Sequence, residues 1–103
     1  PISIFFERNG FDPVIGLMLG DGRKFGATPL TFDTWHQIKV RNAWSYFDDG
    51  RTDLFVNGSM VYTHSGKNMN NRYQHYLKIG QYRSKEISAS SVVFYRRLKI
   101  AKE

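Results

Sequence analysis

Asn57-Gly58 constrains the fold more than any other pair in this chain. It lies between Thr52–Val56 and Ser59–Thr63, two short runs rich in β-branched and aromatic residues. Asn followed by Gly supplies two successive positions that tolerate φ > 0, which a two-residue type I′ turn requires. The expectation is a tight hairpin, which also explains Asn57-Gly58-Ser59 better than a glycosylation sequon does. No other stretch keeps a helical spacing long enough to pack as a helix. Short strands and frequent turns predict an all-β chain, an antiparallel β-sandwich of the jelly-roll kind, organised as one domain over residues 1–103.

The remaining elements follow from apolar runs and turn residues. Pro1 to Phe6 reads as a strand that turns at Glu7-Arg8-Asn9-Gly10, and Asp12-Pro13 reads as a short connection. Val14 to Leu19 is a second strand, closed by Gly20-Asp21-Gly22 and returning through Arg23 to Phe25. Gly26 to Asp33, with Pro29, reads as a loop. Trp35 to Arg41 alternates, with His36, Ile38 and Val40 on one face and Gln37, Lys39 and Arg41 on the other. Ala43 to Phe47 is expected to continue that sheet, and Asp48-Asp49-Gly50 to turn it. His64 to Arg72 and Ser84 to Ser91 read as loops, and Val92 to Ala101 as a last strand with a basic tail.

Composition narrows the class of partner. Fifteen Lys and Arg against nine Asp and Glu give a formal charge of +6, an excess that favours polyanions such as acidic polysaccharide, nucleic acid or an anionic surface. Eight Phe, six Tyr and two Trp suit strands and saccharide platforms. No RNA-binding aromatic motif or helix-turn-helix pattern supports the nucleic-acid version, and Arg96, Arg97, Lys99 and Lys102 read equally well as a solvated edge. Without cysteine, disulfides and thiolate metal sites do not arise. No run approaches the length of a membrane span. The chain starts at Pro1 without an initiator Met, so it reads as a processed product, a fragment or an excised domain.

The stretch with the most chemistry is Tyr76-Leu77-Lys78-Ile79-Gly80-Gln81-Tyr82-Arg83. At a period of two, Tyr76, Lys78, Gly80 and Tyr82 share one face, while Leu77, Ile79 and Gln81 share the other. A face of two phenols, an ammonium and a glycine fits a groove better than a dry core. Together with Thr34-Trp35-His36-Gln37-Ile38-Lys39-Val40 and Asp49-Gly50-Arg51-Thr52-Asp53-Leu54-Phe55-Val56-Asn57-Gly58, it resembles the polysaccharide-lyase branch of the concanavalin-like, laminin-G-like jelly rolls. The closing Val93-Phe94-Tyr95-Arg96-Arg97-Leu98-Lys99-Ile100 is similar to the terminal strand of that group, and the likeness covers most of residues 34 to 101. In alginate, glucuronan and heparin lyases of this fold, a Tyr-Phe-Lys-x-Gly-x-Tyr segment crosses the cleft. The resemblance therefore implies an acid or base role in β-elimination for Tyr82 and a place beside the substrate for Lys78.

Elimination needs the uronate carboxylate neutralised, a base for the C5 proton and an acid for the departing C4 oxygen. Lys78 and Tyr82 would stand about 13 Å apart at ~3.3 Å per residue, touching different parts of a sugar chain. The family's Gln-x-His pair falls on Glu7 and Asn9 if Ser3 to Gly10 is the matching strand, or on Leu17 and Leu19 if Val14 to Gly20 is. Neither supplies a His, and Glu7 would repel a uronate. The family's more N-terminal Arg-bearing strand has no counterpart here.

The leading expectation is therefore a secreted or extracellular module binding acidic polysaccharide. Its site comprises Tyr76, Lys78, Tyr82, Arg83 and Arg72, with Glu7 and Asn9 across the groove and Trp44 as added flat surface. The alternatives are a polysaccharide lyase, or a fragment of one, and a structural laminin-G-like subunit of a homo-oligomer, virion or appendage. In the structural reading the first strand is paired by another copy or by a missing N-terminal segment. His36 reads as a hydrogen-bonded residue at the core edge, and His64 and His75 lack partners at metal-ligand spacing. No cofactor is expected. Ca²⁺ is conceivable at Asp48, Asp49 and Asp53, where solvated turns explain the residues better.

Overall fold

The computed structural model describes residues 2–9, 12–69 and 94–101. The described residues form six strands, β1 (Ile2–Asn9), β2 (Asp12–Leu19), β3 (Lys24–Pro29), β4 (Ile38–Ala43), β5 (Arg51–Val56) and β6 (Ser59–Ser65). They form two antiparallel sheets in the orders β1-β2-β3 and β4-β5-β6. Ile15 and Leu17 from the first sheet meet Leu54 and Val56 from the second in one buried cluster, flanked by Ile2, Ile4, Leu30, Ile38, Val40, Val61 and Tyr62. The chain is thus an antiparallel β-sandwich. Each fully buried aliphatic side chain contributes about 1.5–3 kcal/mol relative to exposure, so this small cluster is what joins the sheets.

The Asn57-Gly58 hairpin forms as expected, with φ of 51° at Asn57 and 85° at Gly58. Its influence reaches further than the turn. Asn57 N–H donates to the Gln37 carbonyl at 2.8 Å, and Gln37 N–H donates to Asn57 Oδ1 at 2.9 Å. The turn residue thereby takes the place of a strand partner, and β4 proper begins at Ile38 rather than Trp35. His36 is tied to the same turn: Asn57 Nδ2 donates to its Nδ1 at 3.1 Å, and its Nε2 reaches the Thr31 carbonyl at 3.0 Å.

Several boundaries differ from the sequence reading. Asp12 and Pro13 belong to β2, because the pairing with β1 continues through Arg8↔Pro13 to Asn9↔Asp12. Pro13 costs little there, since a proline near a strand start surrenders only one ladder donor, and its carbonyl still accepts from Leu30 N–H at 2.9 Å. β3 runs on through Gly26 to Pro29. Ile15↔Thr28 and Leu17↔Phe25 leave two residues of β3 opposite Gly16, a bulge, and Gly26 takes φ of 72° to make it. A side chain at Gly26 would stand 2.7 Å from Tyr62 Cβ, so the bulge also sets how closely the two sheets approach.

Ala43 ends β4, and residues 44–50 leave the sheet instead of extending it. Asn68 holds that excursion in place. Its Oδ1 accepts from Ser45 N–H at 2.8 Å, while its Nδ2 donates to the Ala43 carbonyl at 3.0 Å and to Thr52 Oγ1 at 3.2 Å. Residues 94–101 form no strand, and Phe94, Leu98 and Ile100 are exposed. Their alternation signals β-propensity, but strand formation requires a partner ladder as well.

Candidate functional site

Tyr76, Lys78, Tyr82, Arg83 and Arg72, the central residues of the expected groove, lie outside the described residues. The strand expected opposite them is described. Leu17 and Leu19 point into the core, with 0% and 6% of their surface exposed, so they cannot face a ligand. The alternative match, Glu7 and Asn9, lies on β1, with Asn9 at its end opposite Asp12.

Glu7 is on the outward face of the first sheet and is not a bare charge. Lys24 forms an ion pair with it, reaching across Phe5 with its ammonium 5.4 Å from the ring centroid. Phe5 lies flat over Gly16, where a Cβ would meet the ring at 2.5 Å. The repulsion expected between Glu7 and a uronate is therefore offset locally by Lys24, since an opposite charge in contact cancels most of the field at a distance. Glu7 accepts a cation here, which a neutral Gln in that position would not demand.

The outward face of the second sheet carries a denser cluster. Arg41, on β4, is paired in register with Asp53 on β5, which in turn faces Thr63 on β6. Arg41 donates to Asp53 Oδ2 from Nε at 3.1 Å and from Nη2 at 2.9 Å. Arg51 Nε and Thr63 Oγ1 each donate to Oδ1 at 2.8 Å. Asp53 is 1% exposed. Burial pushes its carboxyl up, but the hydrogen bonds from Arg51, Thr63 and Arg41 outweigh that and hold it at about 2. Beside this hub lies Phe55, with Lys39 Nζ and Arg41 Cζ both 5.2 Å from its ring centroid. The three cations are exposed while the one carboxylate is buried.

A third grouping lines the adjoining edges of β3 and β6. Phe25 stacks on Tyr62 at 5.4 Å with the rings 7° from parallel, and on His64 at 6.2 Å. The Arg23 guanidinium lies 5.7 Å from the Phe25 centroid, and Arg23 is itself held by Asp21 through Nε at 2.6 Å. Its backbone N–H, first, and its side chain also lower the Asp21 carboxyl below its ordinary range. Trp44 is half exposed. Lys67 Nζ stands 4.1 Å from the Tyr46 ring, and Arg96 Cζ 4.0 Å from the Trp35 ring.

Asp48, Asp49 and Asp53 do not act together. Asp53 is committed to two arginines, and Asp49 accepts from the Ser45 hydroxyl. No group of three or more His, Cys, Asp or Glu converges among the described residues. No helix among them is long and apolar enough to cross a membrane.

The cluster of Lys39, Arg41, Arg51 and Phe55 was not legible as a site in the sequence. Its signal was present, since Lys39 and Arg41 alternate outward on one strand while Arg51, Asp53 and Phe55 alternate on the next. What joins the two strands is a register that only the folded sheet fixes.

The described residues build an all-β sandwich with cation–aromatic surfaces on its outward faces. Comparison with known families makes the assignment: residues 20–99 match the Polysaccharide lyase family, and the chain belongs to it. That match spans β3 to β6 and includes Tyr76 to Arg83, but it excludes Glu7 and Asn9. No curated protein and no solved structure matches the chain significantly.

Proposed function

We propose that the chain binds an acidic, uronate-bearing polysaccharide, with Arg72, Lys78, Tyr82 and Arg83 as its contacts and Tyr76 as an apolar platform. The observation that carries this is the family match, whose span of residues 20–99 includes Tyr76 to Arg83. Carboxylates on the sugar would meet the ammonium and guanidinium groups, and the sugar's apolar faces would lie on the phenol rings. The charge of +6 supports an anionic ligand over a neutral one. A ligand of this kind supports a secreted or extracellular setting for the protein. The β1 edge, which has no strand partner among the described residues, would pair with a second copy in a homo-oligomer.

Titration of the chain with alginate, glucuronan and heparin at two salt concentrations tests the reading, with dextran as the neutral control. Binding of the acidic glycans should weaken as salt rises. Lys78→Ala together with Tyr82→Ala should reduce it at least tenfold, and unchanged affinity in that double variant would remove the proposal.

A second reading is supported by the same match and by Tyr76-x-Lys78-x-Gly80-x-Tyr82: β-elimination of the bound glycan. In that reaction a base takes the C5 proton, the C4–O bond breaks, a C4=C5 double bond forms and an acid protonates the departing oxygen. Tyr82 would transfer the protons and Lys78 would neutralise the carboxylate. In the match to β1, Asn9 stands where the family carries its His, and an amide is no base for the C5 proton. Absorbance from the 4,5-unsaturated product distinguishes the readings, and a flat trace with all three glycans leaves binding alone.

A further inference from the structure

We infer that the outward face of β4 and β5 is a second anchoring surface for acidic polysaccharide, in which Lys39, Arg41 and Arg51 meet the ligand's carboxylate or sulfate groups. The inference takes its ligand class from the polysaccharide reading above but uses none of the residues assigned there.

Three observations carry it. First, the cations are spaced along the strands. Lys39 and Arg41 are two residues apart on β4, and Arg51 lies opposite Ala43, two residues further on. Successive steps of two residues are about 6–7 Å each, so an extended polyanion lying along the strands meets a cation at every step.

Second, the cations are held in place before any ligand arrives. Phe55 supports the Lys39 ammonium and the Arg41 guanidinium, each 5.2 Å from its centroid. Asp53 fixes Arg41 through Nε and Nη2, and fixes Arg51 through Nε. A planar guanidinium bound on one edge still presents donors on its other edge. Side chains ordered in advance lose less entropy on binding than free ones.

Third, the charge is not cancelled at the surface. Arg41 and Arg51 side chains are 43% and 53% exposed, whereas Asp53 is 2% exposed. The carboxylate serves the structure from below, and the cations face solvent. A second carboxylate on this face would oppose the inference, and none belongs to the outward positions of β4, β5 or β6.

The test is binding of the chain to sodium alginate and to heparin, with dextran as control, followed against salt. Lys39→Gln with Arg51→Gln is the informative variant, because it leaves Arg41 and Thr63 to hold Asp53. The expected result is a loss of roughly tenfold in affinity, about what one or two partly exposed charge-assisted contacts supply. The salt dependence should flatten too, and Lys39→Arg should retain wild-type affinity. Lys39→Gln alone, which disturbs only the contact with Phe55, guards against a folding defect and should show a smaller loss in the same direction.

Wild-type affinity and salt dependence in both the double and the single variant overturn the inference. Loss of binding only in the Lys78→Ala, Tyr82→Ala variant also overturns it while leaving the reading above intact. Binding that survives that variant but falls in Lys39→Gln with Arg51→Gln supports the inference and removes the other site. No binding of either glycan by the wild-type chain overturns both.

Discussion

Asp53→Asn tests the internal logic of the second sheet. The carboxylate is buried, accepts from two guanidinium groups and one hydroxyl, and has its pKa lowered from 3.8 to about 2. Its folded pKa lies below its unfolded one, so the stabilisation is fully present above pH 4. It is lost as pH falls through the folded value near 2. A displacement of nearly two pH units corresponds to about 2.5 kcal/mol as a ceiling. The carboxylate itself is inaccessible, yet its neighbours form a thin shell: Arg41 and Arg51 are each about half exposed. Solvent screening of those partners brings the expected contribution to about 1–2 kcal/mol.

Urea unfolding of the wild type and of Asp53→Asn, from pH 7 down to pH 2, measures this directly. The wild type should be more stable by about 1–2 kcal/mol at neutral pH. The gap should hold to pH 4 and close towards pH 2, as the wild-type carboxyl takes up its proton. The side-chain amide keeps an acceptor for Thr63 but sets an N–H against a guanidinium, so some of the neutral-pH loss is an unmatched donor. A gap that stays constant from pH 7 to pH 2 would refute the claim that the charge of Asp53 holds this cluster.

Three further substitutions probe the scaffold by the same unfolding assay. Asn68→Ala removes the bridges to Ser45, Ala43 and Thr52; a cost of about 2–3 kcal/mol is expected, from buried polar groups left unpaired. Gly26→Ala places a Cβ 2.7 Å from Tyr62 at φ of 72°, and should cost about 1–3 kcal/mol through overpacking and backbone strain. Leu54→Ala opens the centre of the joint between the sheets, and a loss of about 2–5 kcal/mol is expected.

Local features were legible in the sequence and non-local ones were not. Asn57-Gly58 could be read because a positive φ at two consecutive residues is a property of those residues alone. The alternation from Ile38 to Val40 could be read because burial on one face leaves a period of two. Gly26 and Pro29 signal a loop from Gly26 to Asp33, since glycine and proline usually end strands. Here a bulge accommodates the glycine without ending the ladder, and the reason lies in Tyr62 on another sheet. Asp53 looked like one of three turn or cation-binding aspartates. Its role comes from Arg41 and Thr63, which are distant in sequence and adjacent only in register. The likeness to the polysaccharide lyases was legible in three motifs, and the family match over residues 20–99 bears it out.

The charge balance gives these observations a common meaning. A basic chain can bind polyanions diffusely, simply through its net charge, and such binding needs no arranged site. In this structure three carboxylates hold cations: Glu7 holds Lys24 across Phe5, Asp21 holds Arg23, and Asp53, buried under the guanidinium groups on the outward face of its sheet, holds Arg41 and Arg51. Each of these three fixes a cation beside an aromatic ring, since Phe5, Phe25 and Phe55 lie next to Lys24, Arg23 and Arg41 respectively. The pattern is a positively charged surface whose charges are positioned by buried or neighbouring acids. Diffuse binding predicts that removing any two cations has the same effect. Positioned binding predicts that Lys39 and Arg51 matter more than Arg97 and Lys99, which lie outside the strands. Comparing those two pairs at equal net charge separates the two mechanisms.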